Sequence, residues 1–103
     1  MIKLTGVIKK MEQTQEVGKS EPKFRKRIFL LQEITDMYPN TWLVEFWQDD
    51  CKMGDSYNEG DFVTCYVDIK GKPFIKQDAK ESAINSLKCW NVEKDGKTYK
   101  AIK

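Results

Sequence analysis

The sequence predicts an all-β fold: a five-stranded Greek-key barrel, one short helix between the third and fourth strands, and a C-terminal hairpin extension. Three observations predict it. Five runs rich in β-branched, aromatic and aliphatic residues are separated by turn-forming residues. Only residues 48–60 break that pattern, with acidic residues where a helix would start. A chain of 103 residues is one domain, long enough for a single core without disulfide staples. Strand, strand, strand, helix, strand, strand is the order of an OB-fold, although an SH3-like barrel or a small α+β sheet shares it.

The first strand begins as a clean alternation. Ile2, Leu4 and Ile8 lie on one side, and Lys3, Thr5 and Lys9 on the other. Gly6 interrupts it, and glycine inside a strand marks a bulge or strong bend, which a strand curling round a small barrel requires. Residues 15–23 carry Gly18, Ser20 and Pro22 and are expected to form a loop bearing Lys19 and Lys23. The second strand, residues 24–34, sets Arg25, Lys26 and Arg27 between Phe24 and Phe29. Tyr38, Pro39 and Asn40 supply turn chemistry before the third strand, residues 41–47. Trp42, Val44 and Phe46 share one face of that strand, and Leu43, Glu45 and Trp47 the other. Both faces carry apolar groups, so alternation leaves the core face open. Such a strand is either covered twice or exposes a hydrophobic platform.

A short helix is expected over about residues 49–57, capped by Asp49 or Asp50. Residues 62–71 then alternate, with Val63, Cys65, Val67 and Ile69 toward the core and Phe62, Thr64, Tyr66, Asp68 and Lys70 outward. Residues 72–83 read as a long polar loop holding Pro73, Phe74, Lys76 and Lys80, and residues 84–93 as the fifth strand. Asp95-Gly96 is a strong two-residue hairpin turn, after which residues 97–102 could pair back. The whole chain, 1–103, is read as one OB-fold domain with residues 94–103 as its extension.

Charge is segregated along the chain. The formal net charge is only +2, yet residues 1–48 carry +2, residues 49–68 carry −5 and residues 69–103 carry +5. An acidic helix at the bottom of the barrel and basic strands elsewhere would give a cationic face on a nearly neutral protein. Cys51, Cys65 and Cys89 are widely spaced, with no Cys-x-x-Cys and no histidine, so three reduced thiols are expected rather than a zinc site. The lack of histidine removes the commonest general base, and adjacent Asp49 and Asp50 do not converge on one point. A binding protein without cofactor, metal or small-molecule substrate is expected. No run approaches the roughly 20 apolar residues that span a bilayer, and no signal peptide is evident, which points to the cytoplasm.

Arg25 and Arg27 share a face with Phe29, and guanidinium groups both pair with phosphates and stack on bases. The odd spacing of Trp42 and Trp47 sends one of them outward. Lys23, Lys70, Lys72, Lys76 and Lys88 would neutralise phosphates, and Phe74 either anchors its loop or clamps a ligand. Positive charge interleaved with rings suits a single strand of DNA, which offers a phosphate and a stackable base per nucleotide. RNA would use the same surface. The small site of a single module favours a homo-oligomer. The rival reading is a protein-interaction module whose aromatics form a subunit interface.

Several pieces in order strengthen the fold reading. They are Ile2-x-Leu4-Thr5-Gly6, residues 14–18 in the first loop, Phe24-x-Lys26-Arg27, Tyr38-Pro39, Glu45-Phe46-x-Gln48-Asp49, Tyr57-x-Glu59-Gly60-Asp61 and Asn85-Ser86-Leu87-x-x-Trp90. Together they resemble a bacterial and phage family of small OB-like domains of unknown function, similar to single-stranded DNA-binding proteins. The resemblance implies an OB-fold that coats exposed strands during DNA replication, recombination or repair, in a bacterial or phage-infected cytoplasm. The family pattern ends the barrel at Trp90, which implies a structural role for that residue. Two features depart from the pattern: the long stretch 71–83, where a shorter turn is usual, and the continuation past Trp90 to a basic end, where bacterial single-stranded DNA-binding proteins usually carry an acidic, partner-recruiting tail.

Overall fold

One strand with two neighbours closes the barrel. In the computed structural model, which describes residues 2–18, 21–35 and 37–98 (the last four as backbone), β1 (Ile2–Met11) runs antiparallel to β5 (Asp61–Ile75) and then to β3 (Phe24–Gln32). The first pairing covers Ile2 to Val7, and the second takes over at Val7, opposite Gln32. Gly6 stands at that corner because a Cβ there would lie 2.3 Å from the carbonyl oxygen of Gln32. Any side chain would push β1 off β3. The bulge itself falls just beyond, between Ile8 and Lys10.

The short β2 (Gln15–Val17) pairs with β3, which pairs along its length with β4 (Thr41–Trp47). A 3₁₀ helix (Gln48–Ser56) follows. The last strand, β6 (Glu81–Thr98), is antiparallel to β5 and meets β4 in parallel at Val44–Leu87 and Glu45–Lys88. The sheet order β1-β5-β6-β4-β3-β2, closed by β1 on β3, is the Greek-key order of an OB-fold.

Alternate residues fill the interior. Val7, Ile8, Phe29, Leu31, Val44, Phe46, Val63, Cys65, Val67 and Cys89 are each at most 2 % exposed. Phe29 and Phe46 stack with ring centroids 4.9 Å apart. Each such side chain contributes about 1.5–3 kcal/mol by leaving water. The core face of β4 is therefore the Val44–Phe46 face, with Trp42 packed against it. All three cysteines are buried and free. The Cys89 sulfur beside it and burial among these apolar chains push the Cys65 thiol well up, so it stays protonated.

Several expectations need correction. The first loop is partly a strand, since Gln15, Glu16 and Val17 pair with Lys26, Arg25 and Phe24. The helix is a 3₁₀ helix preceded by Trp47 as N-cap, without a side-chain cap; Asp49 and Asp50 lie in its first turn instead. Residues 72–83 are not a loop: β5 and β6 stay paired out to Ile75–Glu81, leaving a tight turn over 76–80. Pro73 fits there because β1 ends its pairing opposite Val67, so β5 has a neighbour on one side only. Ile69 is 60 % exposed rather than core, because the interior ends at Val67 and the paired arm projects beyond it. That arm accounts for a radius of gyration of 15.0 Å, above the ~13 Å of a compact chain this long. At the other end β6 runs straight through Asp95 and Gly96 to Thr98, opposite Asp61, so no two-residue turn forms there. The rest of the expected return strand, 99–102, lies outside the described residues.

Candidate nucleic-acid interface

Alternation along β3 sorts its charges. Arg27, Phe29 and Leu31 face inward and are buried. The Arg27 guanidinium donates from Nε to the carbonyl oxygen of Glu12 at 2.7 Å. Its Nη1 donates to Asp55 Oδ1 at 2.7 Å and to the carbonyl oxygen of Cys51 at 3.4 Å. Gly54 makes room for it, since a Cβ there would sit 2.7 Å from Arg27 Cζ. Arg25 has the same parity at the rim, where its Nη2 donates to Asp49 Oδ1 at 2.6 Å. That hydrogen bond and charge hold the Asp49 carboxyl below its ordinary range. Arg25 and Arg27 do share a face with Phe29, as expected, but it is the inner one. Phe29 is sealed in the core and Arg27 is locked to the acidic helix, so neither presents itself to a ligand.

The outer face is built from the residues in between. Lys26 of β3 lies directly opposite Trp47 of β4. Phe24 meets Trp47 edge-on, with centroids 5.2 Å apart and planes at 77°. Trp47 Nε1 donates to Glu45 Oε1 at 2.7 Å, which fixes the indole. Lys88 Nζ lies 5.6 Å from the centre of the Trp47 ring, a cation–π contact. Phe24, Lys26, Glu45 and Trp47, with Val17, Gly18, Lys72 and Ser86, line an open cleft of about 520 Å³.

The β5–β6 arm extends this face. Its register puts Asp68, Lys70, Lys72 and Phe74 on one side, facing Lys88, Ser86, Ile84 and Ser82. Phe74 is 38 % exposed and outside the core cluster, so it does not anchor the arm to the core. Lys76 sits in the turn at the tip, and the exposed Lys23 immediately precedes β3. Trp47, Lys70, Lys72, Phe74 and Lys88 are thus brought onto one surface, with Lys23 and Lys76 beside it, whereas Trp42 turns inward. Phe24 and Lys26 were missed, and the signal for them was present: they alternate with the two arginines. A second cleft against the 3₁₀ helix is lined by Gln13, Arg27, Asp55, Asn58 and Glu59. Its arginine is already paired and its carboxylates would repel a polyanion. Among the described residues no group of His, Cys, Asp or Glu could hold a metal ion.

A closed barrel of this order, with an open cationic and aromatic outer face across β3, β4 and the β5–β6 arm, defines an OB-fold protein. The chain belongs to the DUF3127 family, a domain of unknown function whose family model matches residues 3–93. The expected resemblance to an OB-like family of unknown function is thereby borne out. No curated protein matches the sequence. Among solved structures, the chain is similar to the mitochondrial single-stranded DNA-binding protein Rim1 of S. cerevisiae, with a TM-score of 0.63, 14% identity and 94% of each chain covered. At that identity the likeness shows the fold.

Proposed function

We propose that this chain is a sequence-tolerant single-stranded DNA-binding protein that acts by binding, without catalysis, in DNA replication, recombination or repair. The observation that carries the reading is the Phe24–Trp47 ring pair, opening onto one cleft together with Lys26 and Lys72, with Lys88 in cation–π contact with the same indole. A base stacked on an aromatic side chain gains roughly 1–3 kcal/mol, and every base offers a ring face, so stacking does not discriminate sequence. The lysines would meet the phosphates and release counterions. The likeness of the fold to a protein described as binding single-stranded DNA supports the same reading. One OB-fold covers roughly 4–16 nucleotides, so several copies would share a longer strand, as a homo-oligomer or side by side.

The test is titration of the protein with labelled dT oligonucleotides at low and moderate salt, read by anisotropy and tryptophan emission. Binding that weakens steeply with salt and alters the emission is expected. No binding at low salt would overturn the proposal. Equal or tighter binding of rU oligonucleotides would redirect it to RNA. A protein-interaction module predicts instead a salt-insensitive assembly whose size-exclusion mass ignores the oligonucleotide.

A further inference from the structure

The wall of the barrel beyond the cleft carries a second ring-and-cation group. In the β5–β6 register Tyr66 lies opposite Asn91 and Val67 opposite Cys89, which leaves Trp90 as the extra residue of a bulge. A bulge re-aims the side chain it carries. Here it turns an indole outward, 42 % exposed, on a strand where Cys89 and Val92 are buried. The Trp90 ring lies 5.6 Å from that of Tyr66. Tyr66 in turn faces Lys3 across the β1–β5 pair, and Lys3 Nζ sits 5.4 Å from the Tyr66 ring centre. The Tyr66 hydroxyl donates to Glu93 Oε1, which fixes the phenol.

This group is continuous with the cleft. Lys88, the cation over Trp47, lies two residues before Trp90 on the same strand, a separation of about 7 Å. Rings and cations therefore run as a row, Trp47, Lys88, the Trp90–Tyr66 pair and Lys3, across β4, β6, β5 and β1. Two carboxylates share the wall. Glu93 accepts the Tyr66 hydroxyl, and Asp68 stands opposite Lys88 in the register, so both lie beside donors that temper their repulsion of a polyanion.

We propose that Trp90, Tyr66 and Lys3 form a second stacking and phosphate-binding station for the same single strand, which leaves the cleft over Lys88 and crosses β6, β5 and β1. The proposal rests on the function given above and fixes the direction in which the strand continues. An indole at a bulge, beside a tethered phenol and 42 % exposed, is a stacking platform. Lys3 on the neighbouring strand places a cation where the next phosphate would pass.

The test compares dT oligonucleotides of about 5 and about 15 nucleotides, near the two ends of the range for one OB-fold. Trp90→Ala is expected to weaken the longer one by about five- to hundred-fold while leaving the shorter one unchanged. Lys3→Gln, at an exposed position, is expected to lower the log–log salt slope for the longer oligonucleotide by about 0.7 and not for the shorter, with an unchanged urea midpoint. If the wild type binds both lengths and neither variant separates them, the second station is wrong while the cleft stands. If the wild type binds neither, the function itself fails and the station with it.

Discussion

The two faces of β3 carry the same charge to opposite ends. Arg27 and Arg25 look inward and toward the 3₁₀ helix, where Asp55 and Asp49 hold them at 2.7 and 2.6 Å. Lys26, between them, looks outward to Trp47 and the open cleft. The inner cations join elements of the fold; the outer ones have no carboxylate bridging them among the described ion pairs, apart from Lys94 with Asp61 elsewhere. A basic tripeptide in a strand is thus two residues tied to the 3₁₀ helix and one that faces an open cleft, and parity decides which is which.

Removing an inner cation should cost the most. Arg27→Leu leaves the carbonyl oxygens of Glu12 and Cys51 without their donor, at ~1–3 kcal/mol for each one buried. Urea denaturation should show this loss, while the fraction that stays folded binds dT with an unchanged salt slope. An unchanged midpoint would mean the guanidinium is not a structural tie.

The strand parity that makes this prediction was only half legible. Residues 62–67 alternate so strictly that Val63, Cys65 and Val67 could be assigned inward at once, and they are. Residues 24–31 and 41–47 are apolar on both faces, so nothing local separated the Arg27–Phe29 side from the Phe24–Lys26 side. The deciding partners, Asp49, Asp55 and Gly54, are more than twenty residues away in sequence. The arm was illegible for another reason. Pro73 and a run of lysines look like a loop, and only pairing with residues 81–87 makes them a strand. Trp90 reads as structural because the resembled family pattern ends the barrel there; its outward turn was illegible because a bulge that shifts register by one cannot be seen from one strand alone.

Breaking the outer face should cost affinity rather than stability. Trp47→Ala removes one stacking surface and should weaken dT binding by ~1–3 kcal/mol, read by anisotropy. Lys72→Ala should lower the log–log salt slope by about 0.7, and Arg25→Ala should leave it unmoved. Equal effects from Lys72 and Arg25 would erase the contrast between the two faces.

The smallest effect is a pH dependence on the inner side. Arg25 depresses the Asp49 carboxyl below its ordinary 3.8, so this exposed pair adds stability that is present above that value. It is lost as pH falls through the lower folded-state value. Asp49→Asn should therefore lower the urea midpoint slightly at neutral pH, and the difference from wild type should begin to shrink as pH falls below about 3.8 and vanish only beneath the lower folded-state value. A difference that persists in acid would assign it to something other than the ion pair.

The most direct test follows the three indole N–H resonances of Trp42, Trp47 and Trp90 as a dT oligonucleotide is added. Trp47 and Trp90 should shift and Trp42, packed against the core, should not. Shifts confined to Trp42 and to amides of the 3₁₀ helix, with Trp47 unmoved, would contradict an outer-face landing site for the strand.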